Sequence, residues 1–139
     1  MTTALVVHQS VSGTTRAMAE AIAAHLKSRG LDARAVALAV APAEEVAAAE
    51  ILLLGCWTSG LFLFLQHPDR PWQEYVARLP RLGAKKLGLF TTYKVATGSM
   101  FKRMKAALGG KGPEVSLTLR SRGPGLSDAQ RAELDRFIA

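Results

Sequence analysis

Six consecutive residues near the amino terminus, Ser10-Val11-Ser12-Gly13-Thr14-Thr15, combine four hydroxyls with one glycine and carry no charge. They follow a short apolar run and lead into a helical pattern. The backbone N–H groups of a helix start therefore open onto them, where the helix dipole favours an anion. With no lysine the segment is not a Walker-type nucleotide loop, and it lacks the glycine spacing of a dinucleotide fingerprint. The chemistry it suits is the binding of a phosphate monoester through neutral hydrogen bonds. The plainer alternative is a Ser/Thr turn that caps a helix.

Two later segments have a related character. Gly55-Cys56-Trp57-Thr58-Ser59-Gly60 and Thr91-Thr92-Tyr93-Lys94-Val95-Ala96-Thr97-Gly98 each follow an apolar run and mix hydroxyls, glycine and one large aromatic. Both are expected to be loops. Trp57 and Tyr93 could offer flat apolar faces to a ligand or pack as loop residues, whereas Trp72 belongs to a helical stripe and reads as core. Cys56 is the sole cysteine, so there is no internal disulfide and no cysteine-rich metal site. It reads as a buried thiol behind the second segment. His8, His25 and His67 fall on a strand end, a helix stripe and a loop, without metal-ligand spacing. No Ser-His-acid arrangement follows from these spacings, and neither a catalytic residue nor a metal ligand is assigned.

The elements that must position these segments alternate along the chain. Apolar runs at Ala4–Val7, Ile51–Leu54 and Leu87–Phe90 predict strands covered on both faces. Leu31–Leu38 and Glu114–Leu119 are mixed or alternating, as edge strands are. Helices are predicted over Thr14–Arg29, Pro42–Ala49, Trp72–Leu79 and Ser99–Leu108. In the first, Met18, Ala21, Ile22, His25 and Leu26 form one stripe and Gly30 stands ready to end it. Ser127-Asp128-Ala129-Gln130 is a capping box that opens a last helix. Alternation of this kind predicts an α/β protein with a doubly wound, five-stranded parallel sheet in the order 2-1-3-4-5. In such a sheet the ligand lies where the connections reverse, between the first and third strands. The apolar stretch Leu61–Leu65 would then be a lid buried against the next helix, or a partner or dimer surface beside the site.

At 139 residues the chain reads as one domain, 1–139, long enough to bury a core. Residues 1–10 have no basic start and no apolar run beyond Ala4–Val7, so no signal peptide is expected. No stretch approaches a membrane span. A cytoplasmic protein is the expectation. The net charge of +7 is skewed: residues 1–77 carry five Lys/Arg against seven Asp/Glu, and residues 78–139 carry thirteen against four. Charge alone does not choose among nucleic acid, an acidic membrane surface, and an acidic protein or phosphate-bearing ligand.

The chain resembles the flavodoxins. Ser10, Ser12, Gly13 and Thr15 match the family's loop of the form [S/T]-x-[S/T]-G-x-T, which wraps the phosphate of FMN directly after the first strand. Gly55-Cys56-Trp57-Thr58-Ser59-Gly60 is similar to its G-C-x-T-[W/Y]-G stretch, although here the tryptophan precedes the threonine and Ser59 stands at the usual aromatic position. The resemblance implies one FMN, held without covalent attachment. It implies cofactor contacts from Ser10, Val11, Ser12, Gly13, Thr14 and Thr15, from Cys56, Trp57, Thr58, Ser59 and Gly60, and from Thr91, Thr92, Tyr93 and Gly98. Tyr93 is the candidate to stack on the ring.

The implied function is electron transfer, or a small flavin-dependent reductase activity, with the redox chemistry supplied by the cofactor. Typical members are acidic; here Lys94, Lys102, Arg103 and Lys105 follow the third segment closely. Such a rim favours a redox partner protein that is acidic, or a phosphate-bearing reductant, over nucleic acid. The alternative is a flavin-free binding or regulatory module of the same fold that uses its basic C-terminal half. A third reading, an FMN-using activator of a metalloenzyme, lacks the glycine-rich second loop it would need.

Overall fold

The structure is a computed structural model that describes residues 2–10, 13–61, 64–94, 97–123 and 125–139, without the side chains of residues 59–61 and 64–66. The strands are β1 (Thr3–Gln9), β2 (Asp32–Ala37), β3 (Ile51–Leu61), β4 (Phe64–Pro68), β5 (Lys86–Thr92) and β6 (Val115–Ser121). The helices are α1 (Thr14–Ser28), α2 (Ala43–Ala48), α3 (Arg70–Arg78), α4 (Met100–Leu108) and α5 (Asp128–Ile138).

The strands β2-β1-β3-β5-β6 form a parallel sheet in that order. This is the expected 2-1-3-4-5 arrangement once the extra strand β4 is counted. Alternate residues of each central strand point to opposite faces, and both faces are covered. Leu5, Val7, Leu52, Leu54, Leu87 and Leu89 meet Val46 of α2, Trp72 and Val76 of α3, and Met100 and Met104 of α4. Val6, Ile51, Leu53 and Phe90 meet Met18, Ile22 and Leu26 of α1 and Leu134 and Phe137 of α5. Burying each such large side chain contributes about 1.5–3 kcal/mol, which is why the central strands read as unbroken apolar runs.

The helix ends follow their signals. Gly30 has φ 87°, in the left-handed region that a glycine adopts without a Cβ penalty, and its N–H donates to the Lys27 carbonyl. The Ser127 hydroxyl accepts the Gln130 N–H at 3.1 Å, while the Gln130 side chain accepts the Ser127 N–H at 3.0 Å, completing the capping box.

One expectation about the second segment is corrected. The third strand does not end at Leu54; it continues through Gly55–Gly60 to Leu61 and pairs antiparallel with β4, Thr58 opposite Pro68 and Ser59 opposite His67. Gly55 makes the continuation possible. A Cβ there would lie 2.3 Å from the Phe90 ring, so the bare backbone lets strand and ring share one space. Beyond it Cys56, Trp57 and Thr58 suit an extended strand. The apolar stretch Leu61–Leu65 contributes to this hairpin: Leu61 ends β3 and Phe64 begins β4. Phe62 and Leu63 lie outside the described residues.

Candidate functional site

The three hydroxyl-rich segments meet at the carboxyl ends of β1, β3 and β5, because those strands are neighbours. Gln9 is opposite Cys56, and Cys56 and Trp57 are opposite Thr91 and Thr92. Side chains then tie them together. The Thr15 hydroxyl, buried in the first turn of α1, is 2.6 Å from the Thr92 hydroxyl. The Thr91 hydroxyl donates to the Cys56 carbonyl at 2.7 Å and lies 2.8 Å from the Thr58 hydroxyl. A hydroxyl has one proton, so with Thr91 donating to Cys56 it is Thr58 that donates to Thr91.

The first segment turns β1 into α1. Gly13 has φ 92°, a conformation that favours glycine, and its N–H donates to the Ser10 hydroxyl at 2.8 Å. Its carbonyl accepts the Ala17 N–H, starting α1 with no side-chain cap and no acidic residue in the first turn. The dipole of a fifteen-residue helix thus meets a loop of hydroxyls. Val11 and Ser12 lie outside the described residues.

In the second segment the Cys56 thiol is buried in the core, and burial together with the Asp69 charge pushes it well above the usual thiol range. Trp57 is half-buried, and its indole N–H donates to Asp69 Oδ2 at 3.0 Å. Ser59 and Gly60 lie on the β3–β4 hairpin.

In the third segment the Tyr93 N–H donates to the Ser121 carbonyl at 3.1 Å, anchoring the loop to β6. The Arg122 guanidinium stands 5.5 Å from the centroid of the half-buried Tyr93 ring, a cation–π contact. Thr97 is buried and its hydroxyl accepts from Arg120 at 3.1 Å; Gly98 has φ 49°. Val95 and Ala96 lie outside the described residues. Lys94, Lys102, Arg103, Lys105, Arg120 and Arg122 are exposed, and among the described residues none of them forms an ion pair.

Asp69 and Arg122 do not stand out in the sequence, where His8 reads only as a strand-end histidine. Asp69 is 6% exposed, at the start of α3. Burial raises its carboxyl above the usual carboxylate range, while the Trp57 indole, the Gln9 side chain and nearby backbone amides pull it back. A cap signal was legible, since Asp69 precedes Arg70-Pro71, but only the hairpin brings it to Trp57. Arg122 reaches Tyr93 only through the pairing of β5 with β6. His8, buried at the end of β1, has no hydrogen bond to Nδ1 among the described residues; burial lowers its pKa, Arg16 adds to that and Glu20 opposes it.

The start of α1 beside the Ser10 hydroxyl, and Trp57 and Tyr93 on the neighbouring segments, fit a ligand with a phosphate and a planar ring. A cavity of about 270 Å³ at the opposite end of the strands, lined by Thr3, Asp32, Arg34 and Glu45 among others, is remote from them.

The family model described as Flavodoxin matches residues 6–112. The chain belongs to the flavodoxin family. FMN is the family's cofactor and electron transfer its function, and both hold for this chain. It is 32% identical to the flavodoxin of Megasphaera elsdenii over 100 residues, 72% of each chain. The solution structure of that organism's two-electron reduced flavodoxin superimposes with a TM-score of 0.72 at 26% identity, covering 94% of both chains. Oxidised flavodoxin 1 from Bacillus cereus shares the fold at 19% identity, with a TM-score of 0.69 over 99% of this chain and 100% of that one. Among the described residues no helix is long and apolar enough to cross a membrane, and no group of three or more His, Cys, Asp or Glu could hold a metal.

Proposed function

We propose that this chain is a cytoplasmic, single-domain electron carrier that holds FMN at the carboxyl ends of β1, β3 and β5 and exchanges electrons with an acidic redox partner. The phosphate lies on residues 10–15, with Ser10 ordering the Gly13 turn and the α1 dipole supplying the field. The ring lies against the second and third segments, where Trp57 and Tyr93 provide flat surfaces and Thr58 a hydroxyl. The observation that carries this reading is the pair of hydroxyl ties, Thr15–Thr92 and Thr58–Thr91, which make one cradle of three separate segments. Bound FMN supplies the electron chemistry, so the chain need provide only binding, orientation and field. The partner is read from charge. From Tyr75 to Pro113 there is no acidic residue, and among the described residues the exposed cations of α4 and of the ends of β5 and β6 form no ion pair with a carboxylate. A phosphate-bearing reductant would be drawn to the same rim.

The test is an absorbance spectrum of the purified protein before and after adding FMN, followed by fluorescence titrations with FMN and riboflavin. FMN should bind more tightly than riboflavin, and Ser10→Ala should weaken FMN by about 1–3 kcal/mol through the lost loop hydrogen bond. Equal affinities for the two flavins would remove the phosphate assignment. A colourless protein that takes up neither would return the chain to the flavin-free reading.

A further inference from the structure

Among the described residues Asp69 is the one buried carboxylate, and it lies behind the candidate site. It lies where the β3–β4 hairpin turns into α3. Oδ2 accepts the indole N–H of Trp57, twelve residues earlier, at 3.0 Å. Oδ1 has no hydrogen-bond partner among the described residues. The Gln9 side chain, one residue before the phosphate loop, approaches the carboxylate, and so does the Trp72 amide, without a formed cap bond. One buried group therefore touches residues belonging to or bordering the first and second segments.

We propose that Asp69 is a positioning residue for the flavin site: as a carboxylate it holds the Trp57 indole in place on the second segment, and its protonation loosens that hold and weakens flavin binding. This rests on the flavin reading of the site. An N–H bond to an ionised acceptor is roughly twice as strong as one to a neutral acceptor, so the tie weakens as Asp69 takes up a proton. Burial disfavours the charge and raises its pKa above the usual carboxylate range, against the opposing pull of the Trp57 indole. The other titratable groups around it are Cys56 on β3, His67 on β4, and Arg70 and Glu74 on α3. Cys56 is held neutral by burial. Arg70 and Glu74 pair with each other on the surface. The His67 Nδ1 lies 2.8 Å from the Pro68 carbonyl oxygen. Helix α4 turns Met100, Met104 and Leu108 into the core and its cations to solvent.

The experiment uses the full chain and riboflavin, which has no phosphate to titrate. Riboflavin affinity is measured from about pH 4.5 to 8 for the wild type, Asp69→Asn, His67→Gln, Trp57→Phe, Asp69→Leu and the Asp69→Leu/Trp57→Phe pair. The Trp57 indole N–H resonance of the apoprotein is followed over the same range. Wild-type affinity should fall about threefold to tenfold toward low pH, with the indole resonance moving over the same interval. Asp69→Asn, which keeps an acceptor for the indole N–H, should bind with no such pH dependence; His67→Gln should retain it. Asp69→Leu should weaken binding in the wild-type background and have no further effect in Trp57→Phe. A flat wild-type profile, a dependence lost in His67→Gln but kept in Asp69→Asn, or an equal effect of Asp69→Leu with and without the Trp57 indole would each overturn the proposal. If Asp69→Leu does not fold, the Asp69→Asn profile decides. If the wild type binds no flavin, the flavin reading has failed, and the indole resonance alone shows whether Asp69 holds Trp57.

Discussion

The hydroxyl of Thr15, in the first turn of α1, lies 2.6 Å from the hydroxyl of Thr92, the last residue of β5 and 77 positions further along the chain. Both side chains are buried, so the pair joins the start of α1 to the third segment without competition from water. Thr15→Val leaves the Thr92 hydroxyl buried without its partner, and it should cost about 1–3 kcal/mol in urea denaturation of the apoprotein. The double variant Thr15→Val/Thr92→Val should cost less than the sum of the two single changes. Additive losses would mean that the contact contributes nothing of its own.

Gly55 should tolerate no side chain. Gly55→Ala sets a Cβ 2.3 Å from the Phe90 ring, and Phe90 is held on its other sides by the α1–α5 core. A loss of about 1–3 kcal/mol is expected from overpacking. Adding Phe90→Leu should recover part of it, because the smaller side chain vacates the space. A fully stable Gly55→Ala, judged by its thermal melt, would show that the ring can move aside.

The cationic rim should raise the potential of the bound cofactor, since unpaired positive charge favours added electrons. Lys94→Glu with Lys102→Glu should therefore lower the potential in a redox titration, more at low salt than at high salt because these side chains are exposed. Electron transfer to an acidic partner should slow in the same variant. A potential unchanged at both salt concentrations would place the rim too far from the cofactor to influence it.

Acid sensitivity should appear at the contact between α1 and α5. Asp135 accepts from Arg29 at 2.9 and 3.1 Å and lies 2.8 Å from Nε2 of the buried His25. Hydrogen bonds from Arg29 and His25 hold its carboxyl down at about 2. A depressed carboxylate stabilises the fold above its unfolded pKa of about 3.9, and that stability is lost as pH falls toward the folded value. Wild type should therefore exceed Asp135→Asn in stability near neutrality, with the gap closing between about pH 4 and 2. Urea denaturation across that range measures it. A gap that persists at pH 2 would mean that Asp135 acts through shape and not through charge.

The parallel sheet, its order and its two edges were legible in the sequence because burial on both faces writes itself as unbroken apolar runs at Ala4–Val7, Ile51–Leu54 and Leu87–Phe90. The Ser10–Thr15 segment could be read as a candidate phosphate loop because every residue of the motif is local. The helix ends at Gly30 and Ser127 could be read for the same reason: a left-handed stop and a capping box need only residues a few positions apart. The continuation of β3 through Gly55–Leu61 was decided in three dimensions. A strand's extent depends on its partners, and Gly55, a loop signal in one dimension, is in space the gap that admits Phe90. The ties Thr15–Thr92, Trp57–Asp69 and Tyr93–Arg122 are likewise tertiary. Each joins residues from different elements, and a hydrogen bond or ring contact across such a gap leaves no periodicity in the chain. Residue types named what the three segments could bind, and strand adjacency decided which of their side chains hold one another in place.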